Sequence, residues 1–263
     1  MSRADKPLHL GPEYAAQFAD QSVARAYAAR PPYPAALLLK LGALLPPRAN
    51  SVLELGCGTG DLTFGLAAHV DELVALEPSL AMLSLAIKRQ PSVPRNIRFV
   101  LASAEKFEPR ERFAMVVAAE SLHWMDWAHV MHKATRWLHG EGLLAIVDRR
   151  SFDGLPWASA LRPLLARYST NQDYRPYDLI EELVQRGLFE EHGRERFSEP
   201  FSQSLAAYVE AFHSRNGFSR ERMGEQAASE FDAALHELVS SHDASGRVSG
   251  EVSTTLVWGR PAV

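Results

Sequence analysis

The sequence predicts an α/β protein built on a doubly wound, mostly parallel sheet, and three observations lead there. Short runs rich in Val, Leu and Ile recur through the first half: "SVLEL" (51–55), "ELVALE" (72–77), "IRFVLA" (97–102), "FAMVVAA" (113–119) and "LLAIVD" (143–148). Helix-patterned segments separate most of them, and strands alternating with helices imply parallel strands covered on both faces. The first run also leads straight into a loop with glycine at alternate positions, Gly56, Gly58 and Gly60. Such a turn opens a ligand crevice at the carboxyl end of a strand. Right-handed crossovers then gather the remaining loops along the same edge.

Ahead of the sheet, Glu13 to Ala29 places Tyr14 and Phe18, then Val23 and Tyr27, at i,i+4 spacing. That predicts an amphipathic helix or a pair of short ones, ended by Pro31 and Pro32. Ala35 to Leu45 predicts a second helix, stopped by Pro46-Pro47. Between the apolar runs, helices are expected at Leu62–Ala68, Leu80–Gln90 and Ala128–Leu138. From Arg150 the pattern turns mostly helical. Leu179, Ile180, Leu183 and Val184 form one apolar stripe, and Leu205, Val209 and Phe212 a second. Met223, Ala227, Phe231, Leu235 and Leu238 form a third, followed by a turn near Ser245-Gly246. "EVSTTLVWGR" (251–260) alternates and β-branches enough to predict a final strand. No repeat, low-complexity tract or interdomain linker stands out. One domain, 1–263, is expected: an N-terminal helical cap (1–48), a core (49–150), a helical lid with sheet completion (151–243) and a C-terminal strand region (244–263).

Composition narrows the function classes. The 263 residues are 46% hydrophobic and 23% charged, values of a chain that buries a full core rather than a disordered one. The formal net charge is −4 with no long Lys/Arg block, which argues against a nucleic-acid surface. Cys57 is the single cysteine, so no intramolecular disulfide can form, and a reducing compartment such as the cytoplasm fits. "MSRADKPLHLGPEY" has mixed charges and no apolar core, so it does not read as a signal peptide. "AALLLKLGALL" is interrupted by Lys40 and Gly42 and is too short to span a bilayer. The expected protein is soluble, a monomer or homodimer. Its ten histidines are scattered without metal-ligand spacing, and no metal is expected.

The glycine loop decides the ligand. In "VLELGCGTGDLT" (52–63) no Lys-Ser/Thr pair follows the glycines, so the phosphate-loop pattern fails. The dinucleotide pattern G-x-G-x-x-G fails as well, because its third glycine would fall on Asp61 or Thr63. Glu54 before the loop and Asp61 after it make a poor cradle for a pyrophosphate and a better one for a cationic or zwitterionic ligand. Glu77 ends the second strand 17 residues beyond Gly60, where a carboxylate can accept both hydroxyl protons of a ribose. A ribose without a phosphate points to a nucleoside.

"LELGCGTGDLT", "ALEPS", "ASAEKF" and "AAESLHW", in that order, resemble the motif series of class I S-adenosylmethionine-dependent methyltransferases. The N-terminal "YAARPPYP" together with "SLHWMDW" is similar to the trans-aconitate methyltransferase-like group of small-molecule enzymes. The likeness covers roughly the first 150 residues. It implies a Rossmann-like sheet of seven strands with the last antiparallel, N-terminal helices and a helical lid insertion that selects the acceptor. It implies S-adenosylmethionine as cofactor and S-adenosylhomocysteine as product. By the same likeness Glu54, Gly56, Cys57, Gly58 and Gly60 wrap the methionine part, Glu77 and Pro78 hold the ribose, and Ser103 and Ala104 lie beside the adenine. Many members carry an acidic residue where this chain has Ser103. Tyr27, Arg30 and Tyr33 are placed over the cofactor, and Glu120 beside it.

The loop after the fourth strand, "ESLHWMDW" (120–127), then faces the transferable methyl group. Trp124 suits a wall beside a sulfonium, because aromatic faces tolerate a nearby cation. His123 is a candidate substrate-lining residue and general base, while Asp126 reads as a helix N-cap and Trp127 as a packing residue. Tyr14 and Phe18 are further substrate-side candidates. Arg149 and Arg150, just past the fifth strand, could clamp a carboxylate acceptor. The expected reaction is methyl transfer to a small organic molecule, first of all at oxygen of a carboxylate or hydroxyl, with carbon and nitrogen open. A cyclase or rearrangement enzyme, and a non-catalytic cofactor-binding module, are the alternatives on the same scaffold.

Overall fold

In the computed structural model of the chain, the described residues are 6–46, 50–89 and 93–262, with 149–151 described as backbone alone. The apolar runs become strands β1 (Ser51–Leu55), β2 (Glu72–Glu77), β3 (Ile97–Leu101) and β4 (Phe113–Ala119). Three longer strands complete the sheet: β5 (Leu138–Asp153), β6 (Phe189–Ser204) and β7 (Arg247–Pro261). Among the described residues the sheet has seven strands in the order β3-β2-β1-β4-β5-β7-β6. β1 to β5 pair parallel, and β7 runs antiparallel between β5 and β6. The order reverses between β1 and β4, the switch point where crevices open in such sheets.

The helices are α1 (Pro12–Ala15), α2 (Gln21–Ala26), α3 (Ala35–Ala43), α4 (Asp61–Leu66), α5 (Leu80–Arg89) and α6 (Trp127–Trp137). They continue with α7 (Ala158–Tyr168), α8 (Leu179–Gln185), α9 (Leu205–Phe212), α10 (Arg220–Met223) and α11 (Glu225–Ser240). Alternation along the strands divides the core into two faces. Leu53, Leu55, Val116 and Ile146 pack on Val130, Met131 and Ala134 of α6 and Leu183 of α8. Val52, Met115, Val117 and Ala145 pack on Leu37 and Leu41 of α3 and Leu62 and Leu66 of α4.

A third cluster explains the long strands. At about 3.3 Å per residue, β5, β6 and β7 reach well past their neighbours, beyond the carboxyl edge of β1 to β4. Val248 of β7, with Phe152 of β5 against it, joins Trp157, Phe212, Phe231, Leu235 and Val239 in a separate aromatic core with α7, α9 and α11. The helices therefore stand over the edge where ligand loops gather.

The strand limits at 51–55, 72–77 and 113–119 match the sequence pattern, and 143–148 is the middle of a longer β5. The segment 13–29 takes the second of its two expected forms, a pair of short helices, α1 and α2, joined and followed by 3-10 turns at Ala16–Ala19 and Tyr27–Ala29. One expectation is corrected. The stretch after Arg150 is less helical than its apolar stripes imply, because β6 occupies Phe189–Ser204. β6 lies at the sheet edge, pairs on one side with β7, and buries few side chains, so it carries little apolar signal. Gln90 and Pro47, which close two of the expected helices, lie outside the described residues.

Candidate functional site

A cavity of about 250 Å³ opens at the switch point. Its wall comes from the loops after β1, β2, β3 and β4, closed over by Ala15, Phe18, Tyr27, Arg30 and Tyr33 of the N-terminal segment.

The glycine loop forms its floor. Gly56 and Gly58 have φ of +72° and +56°, a region that side chains rarely occupy. A Cβ on Gly56 would lie 2.8 Å from the Cβ of Ser121, and one on Gly58 would lie 3.4 Å from the Tyr27 ring. The main chain is therefore bare on the cavity side. Gly60 (φ +84°) is not part of the wall; it turns the chain into α4. Cys57 lines the cavity, its N–H donates to Leu76 O at 2.8 Å, and burial holds its thiol well above the usual range, in the protonated form.

Glu77 fastens this loop to β2. Its Oε2 accepts from the Gly58 N–H at 2.9 Å and its Oε1 from the Ser79 N–H at 2.8 Å. Each carboxylate oxygen keeps a further lone pair for a ligand hydroxyl. Burial raises its pKa, and those two N–H donors oppose the shift. Glu54 is buried in the floor and accepts from the Thr63 hydroxyl at 2.7 Å. Burial pushes its pKa up to about 7, the Thr63 bond opposes this, and the charges of Asp61 and Glu77 add to it.

At the end of β4, Glu120 takes a φ of +50° while its N–H still bonds Val147 O at 2.9 Å. A non-glycine residue held in this region implies that the surroundings fix it. Arg30 Nη1 donates to Glu120 Oε2 at 2.8 Å, and the guanidinium lies 4.1 Å from the Tyr27 ring centre. Arg30 also donates through Nε to Ser214 Oγ at 2.7 Å and through Nη2 to Ser214 O at 2.8 Å, just past α9. One side chain thus ties the N-terminal segment to the sheet and to the helical layer.

The structure brings most sequence-predicted residues to the wall: Tyr27, Arg30, Tyr33, Glu54, Gly56, Cys57, Gly58, Glu77, Pro78, Ser103, Ala104, Glu120, Phe18 and Trp124. Others stand elsewhere. His123 is not among the lining residues; its ring centre lies 4.7 Å from that of Trp124. Tyr14 is not among the lining residues, and its hydroxyl donates to Asp173 at 2.6 Å. The side chains of Arg149 and Arg150 lie outside the described residues. Asp126 caps α6, accepting from the His129 N–H at 3.0 Å, and Trp127 is buried with its indole N–H on Leu122 O at 3.0 Å. Sequence reasoning missed Ser121, Met125, Met82 and Glu105 as wall residues. Ser121 and Glu105 sit inside motifs already singled out, but their side-chain direction depends on tertiary turns. Ser121 donates to Leu55 O and so joins the ends of β4 and β1.

Among the described residues no group of three or more His, Cys, Asp or Glu is arranged to hold a metal. No helix among them is long and apolar enough to cross a membrane. A nucleoside sulfonium with an amino-acid tail fits this wall: vicinal hydroxyls on Glu77, a bare main chain for the tail, carboxylates for its cations and aromatic faces nearby.

Known proteins resemble the chain. Residues 52–142 match the methyltransferase domain family. A Saccharomyces cerevisiae protein named as an S-adenosylmethionine-dependent methyltransferase is 28% identical over 149 residues, 55% of this chain and 51% of that one. The trans-aconitate 2-methyltransferase of Acidovorax sp. is 33% identical over 38% of each chain. The chain thus spans about half the length, or less, of these curated relatives. The fold aligns with a protein from Anaeromyxobacter dehalogenans titled a type II methyltransferase, with a TM-score of 0.64, 19% identity and coverage of 88% and 97%. On sequence and fold together, residues 52–142 form a methyltransferase domain, and the chain resembles the class I S-adenosylmethionine-dependent methyltransferases.

Proposed function

We propose that the protein transfers a methyl group from S-adenosylmethionine to a small organic molecule. The observation that carries this is Glu77, a buried carboxylate fastened to the bare Gly58 main chain inside a cavity at the sheet's switch point. When bound, the cofactor supplies an electrophilic methyl carbon on a positively charged sulfur.

The chain's residues then divide the remaining work. Glu77 holds the ribose hydroxyls, and Ser103 with Ala104 borders the adenine. The loop from Gly56 to Gly58 receives the amino-acid tail, with Glu54 below it and Tyr27, Arg30 and Tyr33 above. Trp124 and Phe18, ring centres 5.2 Å apart, give a dry aromatic wall that tolerates the sulfonium. The His123 ring packs against Trp124 and steadies it. Since the donor carbon is already activated, the protein contributes alignment and exclusion of water. The likeness to trans-aconitate 2-methyltransferase supports a small-molecule acceptor.

Calorimetric titration of the folded protein with S-adenosylmethionine and S-adenosylhomocysteine tests the reading. Binding of both is expected, and a mass gain of one CH2 on an acceptor, methyl for hydrogen, completes it. Silence with both compounds, from folded protein, would remove the proposal.

A further inference from the structure

We propose that the acceptor is an amine, held as its ammonium and methylated at nitrogen; this rests on the methyltransferase reading above. Five acidic side chains line the cavity, Glu54, Asp61, Glu77, Glu105 and Glu120, of which Glu54 keeps its proton into the neutral range, and among the described wall residues Arg30 is the only Lys or Arg. Arg30 already directs Nη1 to Glu120 and both Nε and Nη2 to Ser214. Outside the wall, Arg89 meets Asp61, and Lys6 donates to Met125 O at 3.2 Å. Glu77 and Glu54 accept from backbone N–H groups and a hydroxyl instead of a cation. The cofactor brings two positive groups and one carboxylate, a net +1 that leaves the cavity acidic.

Among the described wall residues no cation is held in reserve for a carboxylate acceptor, whereas an ammonium is drawn into this field. The aromatic faces of Phe18 and Trp124 favour the same sign. The transfer itself points the same way. The bound ammonium first gives one proton to a carboxylate of the wall, which later returns it to solvent. Its lone pair then forms the new N–C bond as the C–S bond breaks and that pair stays on sulfur. Positive charge moves from sulfur to nitrogen and is conserved, so an acidic, π-walled cavity stabilises it throughout. Attack by a carboxylate would destroy both charges, and the same wall would oppose the anion without gain at the transition state.

2-Phenylethylamine, 3-phenylpropanoate and 2-phenylethanol share a ring and a short chain and differ in the polar head. Each is titrated into the full chain saturated with S-adenosylhomocysteine, and each is incubated with S-adenosylmethionine for product mass and position of the methyl group. The amine is expected to bind about ten-fold more tightly than the carboxylate or more, and to yield the N-methyl product alone. Equal binding, carboxylate preference, no amine binding, or an ester or ether as the main product each overturns the proposal. An ester whose formation disappears in Arg149→Gln or Arg150→Gln would assign a cationic clamp in its place. Failure of S-adenosylhomocysteine itself to bind refutes the methyltransferase reading instead, so the two failures are separable.

Discussion

Glu54 and Glu77 end neighbouring strands yet are anchored differently, and that difference governs how each responds to change. Glu77 answers two buried N–H groups, so Glu77→Ala removes the ribose partner and strands both donors. Each unmet donor costs about 1–3 kcal/mol. Cofactor affinity should fall by about a hundred-fold, and calorimetry showing an unchanged dissociation constant would remove the ribose assignment. Glu54 instead holds a proton. Its pKa rises from 4.5 to about 7 on folding, so the folded state binds that proton more tightly than the unfolded chain. Stability contributed by this site is therefore present below pH 4.5 and declines as pH rises to 7, by about 3 kcal/mol in all. Glu54→Gln should flatten that decline in thermal melts of the cofactor-free protein. A cofactor cation near Glu54 favours the ionised form, so binding near pH 7 should release part of a proton. Calorimetry in buffers of different ionisation enthalpy measures this, and zero release would place the cofactor's positive groups away from Glu54.

At the scale of elements, what was legible in the sequence was whatever buried both faces of a strand or needed a special main chain. β1, β2 and β4 announce themselves as unbroken apolar runs because helices cover them on two sides. The glycine loop and Glu77 are legible because their chemistry depends on residue type and spacing along the chain. β6 is not legible, since an edge strand of alternating Glu, Arg and Ser reads like a solvated helix or loop. The sequence singles out His123 for its chemistry, yet of the 3-10 turn Leu122–Trp124 it is Trp124 that lines the cavity, with the His123 ring beside it. The partnership between Arg30 and Ser214 spans 184 positions and could not be read from local pattern. It makes a prediction for the elements it joins. Arg30→Ala should raise hydrogen exchange in the 3-10 turn Tyr27–Ala29 and just past α9, with about a ten-fold loss of cofactor affinity. Ser214→Ala keeps the carbonyl acceptor and should cost less, about 1 kcal/mol. Unaltered exchange on both sides in Arg30→Ala would mean that other contacts hold the two segments together.

Across the whole molecule, the separation of cores determines which parts open together. The sheet is packed by two clusters on its two faces, while the helical layer has its own cluster centred on Phe231. Phe231 is fully buried, with rings of Tyr168, Phe212, His213 and Phe218 at 5.7, 5.9, 5.7 and 5.1 Å. Phe231→Ala removes the centre of that cluster and should cost about 3–5 kcal/mol. The loss has a direct route to the cofactor cavity, because His213 and Ser214 sit where α9 ends and Ser214 holds Arg30. Hydrogen exchange should therefore accelerate in α7, α9 and α11 while the amides of β1, β2 and β4 keep their protection, as expected for separately opening units. Cofactor affinity should fall in the same variant although no residue of the cavity wall has changed. If β1 and β4 lose protection in step with α9 and α11, the three clusters open as one unit, and the helical layer cannot open over the cavity on its own.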